Sequence, residues 1–247
     1  MAKEIALGKV KVVCKKFPKR RCCDAFLAVL LLAVLSLGTA YFPYINLPGV
    51  TTEVLDALQL KDCPRVMIVA HPDDELLWGG KHLLEEKYLV VCLTGGNDRI
   101  RRAEFESVLA ATGDKGLMLS YPDKIGRRRS DWGFWRGDIE ADIAAILQYK
   151  EWELVVSHNE KGEYGHPQHI MTHESVAKEY GRTGCQARLY WFGNYYVDDK
   201  VPYDLPEMDK SVYNQKRKLA KLYVSQRQTI RLLYHMLPYE DWVPARR

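Results

Sequence analysis

The residues best equipped for chemistry are one histidine and three carboxylates, His71, Asp73, Asp74 and Glu75, which directly follow the apolar run 66–70. A buried strand cannot contain these side chains, so the run predicts a strand that ends at His71, with the cluster at its carboxyl end. Open α/β sheets bind ligands at that edge. Neighbouring carboxylates stay ionised together only when a cation or hydrogen bonds offset their repulsion. An imidazole beside carboxylates is a ligand set that suits zinc.

The same four residues have a simpler interpretation, in which a strand is followed by a turn and Asp73 or Asp74 caps the next helix. A second group of polar residues favours the metal site over this alternative. Glu75 is assigned to supporting the site or capping the helix, and not to direct catalysis.

The second group consists of three histidines, His166, His169 and His173, which follow a predicted strand at 154–157 and a glycine-rich loop. If a helix begins near Pro167, His169 and His173 share one face of it, and His166 lies at the mouth of the site. No glutamate directly follows the first histidine, so the pattern is not that of the HExxH zinc proteases.

Two motifs, AHPDDE at 70–75 and GEYGHPQH at 162–169, together resemble the LmbE-like (PIG-L) family of zinc-dependent N-deacetylases over about residues 65–180. The resemblance implies a Rossmann-like fold. It also implies removal of acetate from an N-acetylglucosamine unit of a glycolipid, glycoside or related conjugate.

The resemblance also implies a role for each residue of the site. His71, Asp74 and His169 would hold Zn²⁺, Asp73 would be the general base, and His166 would stabilise the oxyanion. Three protein ligands leave a position for water, whose pKa zinc lowers to about 7. His166, if protonated, could bind the oxyanion and later protonate the departing amine.

Three further residues are candidates for substrate binding, namely Asn97, Arg101 and Tyr164. Gly95-Gly96-Asn97 and Arg101-x-x-Glu104 resemble a feature that follows the second strand in the family, with roles left open. One departure from the family pattern is Gln168, at a position where an acidic residue is common. The orientation of the neighbouring histidines is therefore expected to be less secure.

The other apolar runs alternate between strand and helix patterns, which predicts an α/β fold with a Rossmann-like, mostly parallel sheet flanked by helices. Helices are expected after a turn at Asp73–Glu75, from Leu76 to about Lys87, around Phe105–Thr112 with a stop at Gly113, after an N-cap at Asp138, and over 211–236. Strands are expected at 89–94, 117–121, 154–157 and 188–192.

The N-terminal part divides into a basic tail at 1–24, an apolar segment at 25–44 and a linker at 45–61, before the catalytic domain at 62–247. The tail has a net charge of +6, which leaves −2 for the remainder. Because the basic excess is confined to a tail, a nucleic-acid partner is disfavoured. The three cysteines outside the tail, Cys63, Cys92 and Cys185, show no disulfide or zinc-binding spacing.

Residues 25–42 are uncharged and, as a helix, would measure about 27 Å, close to the thickness of a bilayer core. We interpret this segment as one transmembrane helix, with a cleaved signal peptide as the alternative. The bias of Lys and Arg toward its N-terminal side predicts a single-pass membrane protein with a cytoplasmic N-terminus and an extracytoplasmic catalytic domain.

Two alternative functions remain open, a metal-dependent phosphoesterase and a catalytically silent glycan- or lipid-binding module. The loop 127–135, with three arginines and three aromatic residues, also has two interpretations. It is either a solvated charge run beside aromatic residues that cap the core, or a rim that holds an anionic lipid or a sugar. His82 and His235 are expected to be structural.

Overall fold

The computed structural model describes residues 29–32, 34–36, 38–39 and 41–246. The chain forms two compact units, Met1–Pro43 and Tyr44–Arg247. In the first unit the described residues from 29 to 41 are helical. Among the described residues, no helix is both long and apolar enough to span a bilayer. The predicted basic tail lies outside the described residues, and the predicted anchor at 25–44 lies only partly within them.

The second unit is built on a six-stranded sheet with the order β3-β2-β1-β6-β7-β8. All neighbouring pairs are parallel except β7 and β8, which are antiparallel. A separate antiparallel hairpin joins β4 to β5. The prediction of a mostly parallel sheet is therefore confirmed. The strands are β1 Arg65–Val69, β2 Tyr88–Thr94, β3 Lys115–Tyr121, β4 Lys124–Ile125, β5 Arg128–Arg129, β6 Leu154–Ser157, β7 Arg188–Trp191 and β8 Val243–Pro244.

Helices cover both faces of the sheet, because alternate residues of β1 enter two different hydrophobic clusters. Met67 and Val69 pack with side chains of α2, α3 and α6, whereas Val66 and Ile68 pack with those of α1, α4 and α5. This period of two is expected for a strand buried on both faces. The α-helices of six or more residues in this unit are α1 Thr52–Ala57, α2 Asp74–Glu85, α3 Arg99–Thr112, α4 Arg136–Gln148, α5 Pro167–Thr183, α6 Lys210–Ala220 and α7 Arg227–Leu232.

The strand order reverses between β1 and β6. From β1 the chain builds outward through β2 and β3, and from β6 it builds the other way through β7. The carboxyl ends of β1 and β6 therefore flank the crevice where sheets of this kind bind ligands. Both polar clusters identified in the sequence begin at these two strand ends.

Two expectations about the helices are wrong. Helix α4 begins at Arg136 with Trp135 as N-cap, so Asp138 lies in its first turn. The long helix expected over 211–236 is broken after Ala220 and resumes at Arg227. The break turns Tyr223 and Ser225 inward to buried carboxylates of the domain. The expected stop of α3 is confirmed, because Gly113 adopts a φ of 77° there.

A buried ion pair fastens α6 to the rest of the domain, and its loss should be costly. Lys216 Nζ donates to Glu240 Oε1 at 2.6 Å and to the Leu77 carbonyl oxygen at 2.9 Å, and both charged side chains are fully buried. Lys216→Met leaves the Glu240 carboxylate buried without its cation. We expect the free energy of unfolding to fall by about 3–5 kcal/mol, measured by urea denaturation.

The exposed Lys218 on the same helix provides the matched control. Lys218→Met should change stability by no more than about 0.5 kcal/mol. Equal stability of the two variants would contradict a structural role for the Lys216–Glu240 pair.

Candidate metal centre

The predicted site residues converge at the crevice between β1 and β6. His71, Asp73 and Asp74 follow β1, and His166 and His169 lie at the start of α5. All five are buried, with at most 7% of each residue exposed. The structure thus brings together residues that are about a hundred positions apart in the chain.

Three atoms of the predicted metal ligands form a nearly equilateral triangle. His71 Nδ1 lies 3.2 Å from Asp74 Oδ2 and 3.2 Å from His169 Nε2, and His169 Nε2 lies 3.3 Å from Asp74 Oδ2. Ligands of tetrahedral zinc, at about 2.0–2.1 Å from the ion, are separated by roughly 3.3–3.4 Å. The three atoms therefore have the spacing that a zinc ion requires.

Other potential ligands adjoin this triangle. The sets His71, His166, His169 and Asp74, His158, His169 also place their ligand atoms within 4.8 Å of one another. His158 Nε2 accepts a hydrogen bond from the Ala70 N–H at 3.0 Å, so its lone pair is already engaged. The set of His71, Asp74 and His169 could therefore hold an ion without breaking this hydrogen bond, and His166 lies beside it.

Glu163, which the sequence analysis did not select, orients His169. Its Oε2 accepts from His169 Nδ1 at 2.6 Å and from His158 Nδ1 at 2.9 Å, so Nε2 of His169 is left for the metal. Burial opposes the charge of Glu163, but the two imidazoles outweigh it and lower the pKa of Glu163 to about 2. A carboxylate behind a metal-binding histidine is a common arrangement. The position of Glu163 in the GEYGHPQH motif was the available signal.

Gln168 performs the equivalent task for His71. Its Oε1 lies 2.7 Å from His71 Nε2, which leaves Nδ1 for the metal. Its amide nitrogen donates to three main-chain carbonyl oxygens, those of Pro122, Asp123 and Ser130. The expectation that Gln168 would secure the histidines less well is not met. Its amide oxygen contacts His71, and its amide nitrogen is fixed by main-chain carbonyl oxygens.

Asp73 is buried in a strained backbone conformation beside the ligand triangle. Its φ is 129°, a value that residues other than glycine rarely adopt. Burial, followed by the charge of Asp74, raises the pKa of Asp73 well above its usual value. A cation bound by Asp74 would offset the effect of the Asp74 charge on the pKa of Asp73. A carboxylate with a raised pKa in a cleft is suited to proton transfer.

The surroundings of His166 oppose a positive charge on its ring. Burial, followed by the neighbouring imidazoles of His71 and His169, lowers the pKa of His166 to about 2. Its Nδ1 is buried and has no hydrogen-bond partner among the described residues. A resting imidazolium is therefore disfavoured, but the neutral ring can still donate one N–H to a substrate oxygen.

The ligand triangle opens into a cavity of ≈ 480 Å³ that Arg101 and Tyr164 help to line. Arg101 donates to the Pro72 carbonyl oxygen at 3.2 Å and faces Asp123 at 3.6 Å. Asn97 does not line this cavity. It is exposed in an adjoining pocket, where its Oδ1 accepts from Ser120 Oγ at 3.0 Å.

The loop 127–135 lies partly in the core and partly at the cavity. Trp132 and Trp135 are buried and belong to the core, whereas Phe134 is exposed. Arg129 lines the cavity. His82 stacks on Trp242, and His235 Nε2 pairs with the Tyr196 carbonyl oxygen, which agrees with structural roles for both histidines.

His173 shares α5 with His169 but lies outside the ligand triangle. Its Nδ1 donates to the His158 carbonyl oxygen at 3.0 Å, and its ring packs against Trp191. Of these two histidines on α5, only His169, in the first turn, therefore belongs to the ligand triangle.

A doubly wound, mostly parallel sheet with a His–Asp–His triangle at its switch point defines a Rossmann-like α/β domain whose site could hold a metal ion. Comparison with known proteins agrees with this class and specifies the family. Residues 66–180 match the profile described as PIG-L: GlcNAc-PI de-N-acetylase. These residues form a PIG-L (LmbE-like) domain, so the resemblance found in the sequence is confirmed, and the family is one of hydrolytic N-deacetylases.

Individual relatives are more distant. An uncharacterized protein of Acanthamoeba polyphaga mimivirus is 30% identical over 122 residues, which cover 42% of this chain and 52% of that protein. A 1D-myo-inositol 2-acetamido-2-deoxy-alpha-D-glucopyranoside deacetylase of Salinispora arenicola is 23% identical over 177 residues, covering 55% of this chain and 58% of the relative. A similarly named protein of Catenulispora acidiphila is 25% identical over 175 residues, covering 51% and 54%. The chain thus spans little more than half the length of these relatives.

Proposed function

We propose that this chain is a zinc-dependent N-deacetylase that hydrolyses the acetamide of an N-acetylglucosamine-containing glycan or glycolipid. The observation that carries the proposal is the ligand triangle of His71, Asp74 and His169, with sides of 3.2–3.3 Å. Asp73 and His166 line the same cavity. The site therefore offers a metal position, a carboxylate base and an N–H donor together.

The zinc, when bound, supplies a Lewis acid that makes water more acidic and polarises an acyl oxygen. Asp73 takes a proton from the attacking water, whose oxygen bonds to the acetyl carbon. The N–H of His166 donates to the acyl oxygen as negative charge develops on it. The C–N bond then breaks, and Asp73 returns the proton to the nitrogen, which leaves as the amine. Glu163 and Gln168 hold the two histidine ligands in the required orientation.

The relatives and the cavity together support the substrate class. Two relatives carry names that describe a deacetylase acting on a 2-acetamido-2-deoxyglucoside of inositol. In this chain, Lys124 and Arg129 line the cavity and are directly opposed across the β4–β5 hairpin. Both side chains are exposed, and two neighbouring positive charges attract an anionic group. We therefore propose that the sugar carries an anionic group beyond its acetamide.

A phosphoesterase is the second candidate, because the two adjoining sets of potential ligands could suggest a pair of metal ions. The two sets share His169, and the lone pair of His158 Nε2 is occupied by Ala70, so one ion is the expected content. Metal analysis of the full-length protein should find one zinc per chain. Two ions would favour the phosphoesterase.

A panel of substrates tests the reaction itself. The zinc-loaded full-length chain should release acetate from N-acetylglucosaminyl conjugates and leave phosphomonoesters intact. Conjugates with an anionic group beyond the sugar should be better substrates than neutral ones. Release of phosphate, or binding without turnover, would contradict the proposal and favour one of the two alternative functions.

We further propose that the segment 25–44 anchors the protein in a membrane as a single pass, with residues 1–24 in the cytoplasm and the catalytic domain outside. Its support is the uncharged run 25–42 and the position of eight Lys and Arg residues before it. Protease added to sealed vesicles should remove the domain and spare the tail. Protection of the domain until detergent is added would show that the orientation is the reverse of the one proposed. Extraction of the protein by alkaline carbonate would exclude the anchor.

A further inference from the structure

The chain that follows the PIG-L domain contributes to the catalytic cavity. Residues 221–233, here called the C-terminal segment, lie beyond the matched residues 66–180. Four of them nevertheless line the cavity that holds the ligand triangle, namely Gln226, Thr229, Leu232 and Leu233. The segment also interrupts what the apolar spacing predicts as one continuous helix. Contacts with the rest of the domain must therefore determine the irregular path of the C-terminal segment.

Two carboxylates of the PIG-L domain fix that path. Tyr223 donates its hydroxyl to Glu75 Oε1 at 2.5 Å, and Ser225 donates its hydroxyl and its N–H to Glu104 at 2.6 and 2.7 Å. Tyr223 is 1% exposed, Glu75 is fully buried and Glu104 is 8% exposed. The Tyr223–Glu75 bond is buried, so no water competes for the acceptor and the bond is strong and directional. The Ser225–Glu104 bonds are only partly buried.

A second hydrogen bond links the Tyr223–Glu75 pair to Asp73, the proposed base. Glu75 Oε2 accepts the backbone N–H of Asp73 at 3.1 Å, while its other oxygen is occupied by Tyr223. Asp73 has the strained φ of 129° and ψ of −25°. A backbone in this region relaxes unless its surroundings hold it. Glu75 is thus clamped between the C-terminal segment on one side and the strained residue on the other.

We propose that Tyr223 is a positioning residue for Asp73, acting through Glu75, and that the C-terminal segment is therefore part of the catalytic apparatus. The proposal rests on the proposed function, in which Asp73 is the base. Tyr223 does not itself line the cavity, so its effect must pass through Glu75. Without the hydroxyl, Glu75 loses its one side-chain donor among the described residues, and the acceptor for the Asp73 N–H is less firmly fixed.

Tyr223→Phe should lower kcat about tenfold, because small displacements of a catalytic group are costly. The KM and the zinc content should stay unchanged, since neither the metal ligands nor the cavity wall is altered. Tyr180→Phe is the matched control, because Tyr180 also donates its hydroxyl, to the Ala187 carbonyl oxygen at 2.6 Å, and lies outside the cavity lining. The control should keep the wild-type kcat.

A double-mutant cycle tests the route through Glu75. Glu75→Leu removes the residue that links Tyr223 to Asp73, and it leaves no buried charge. In the Glu75→Leu variant, the additional change Tyr223→Phe should lower kcat no further. Additive losses in the two variants would show that Tyr223 acts independently of Glu75, and would overturn the proposal.

Amide exchange gives a readout that does not depend on turnover. In the zinc-free full-length protein, Tyr223→Phe should accelerate hydrogen exchange of the Asp73 N–H, while amides of β2 keep their protection. Exchange at Asp73 equal to that in Tyr180→Phe would overturn the proposal. If the wild-type chain released no acetate from any conjugate, the proposed function would fail, and this exchange measurement would still decide the role of Tyr223.

Discussion

Asp73→Asn is expected to abolish most of the activity while leaving the metal in place. The amide has nearly the size of the carboxylate but cannot accept the proton of the attacking water. Loss of a general base costs about 10²–10⁴-fold in rate, so kcat for acetate release should fall at least about a hundredfold. Because Asp73 is outside the ligand triangle, zinc content should remain at the wild-type value.

The exposed Asp204 offers a control with the same chemical change. Asp204→Asn should retain full activity and full zinc content. A near-wild-type rate in Asp73→Asn would show that another group accepts the proton. Loss of zinc from Asp73→Asn would instead make Asp73 a ligand, and the triangle would have to be reassigned.

His169→Ala should remove the metal. The substitution takes away one of three protein ligands, and it leaves Glu163 without one of its two imidazole partners. Losing even a residue that supports a ligand typically weakens metal binding about 10–100-fold, so a lost ligand should weaken it by more than about a hundredfold. Zinc bound after dialysis against a competing chelator measures the effect, and His71→Ala should behave in the same way.

His173 supplies the control for this measurement, since it lies one turn further along α5 and is not a ligand. His173→Ala should keep one zinc per chain. If His169→Ala also kept its zinc, the ion would be held by a different set, such as one that includes His166.

The part of the site that could be predicted from sequence is the part that local rules determine. Apolar runs that end abruptly in charged residues mark buried parallel strands and their carboxyl ends, because both faces of such strands are covered. That rule places His71 and Asp74 at the crevice. The histidine spacing after Pro167 predicts that His169 and His173 share one face of a helix. The choice of His169 as the ligand came from the resemblance to the PIG-L family.

The remainder depends on contacts between distant parts of the chain. The apolar spacing around Leu219, Tyr223 and Ile230 fits a helix, but hydrogen bonds to Glu75 and Glu104 outweigh that local preference. The lowered pKa of His166 follows from its burial and its neighbours, which no spacing reveals. The motif GEYGHPQH marks Glu163 as a candidate, but its two imidazole partners are defined only by the folded loop.

Hydrolysis in ¹⁸O-labelled water tests the central claim most directly. The zinc-loaded full-length chain is incubated with an N-acetylglucosaminyl conjugate, and the products are analysed by mass spectrometry. Attack of water on the acetyl carbon predicts one labelled oxygen in acetate and none in the free amino sugar, with the two products in equal amounts. Label in phosphate, or an unchanged conjugate in the presence of bound zinc, would contradict the assignment of this site as an N-deacetylase.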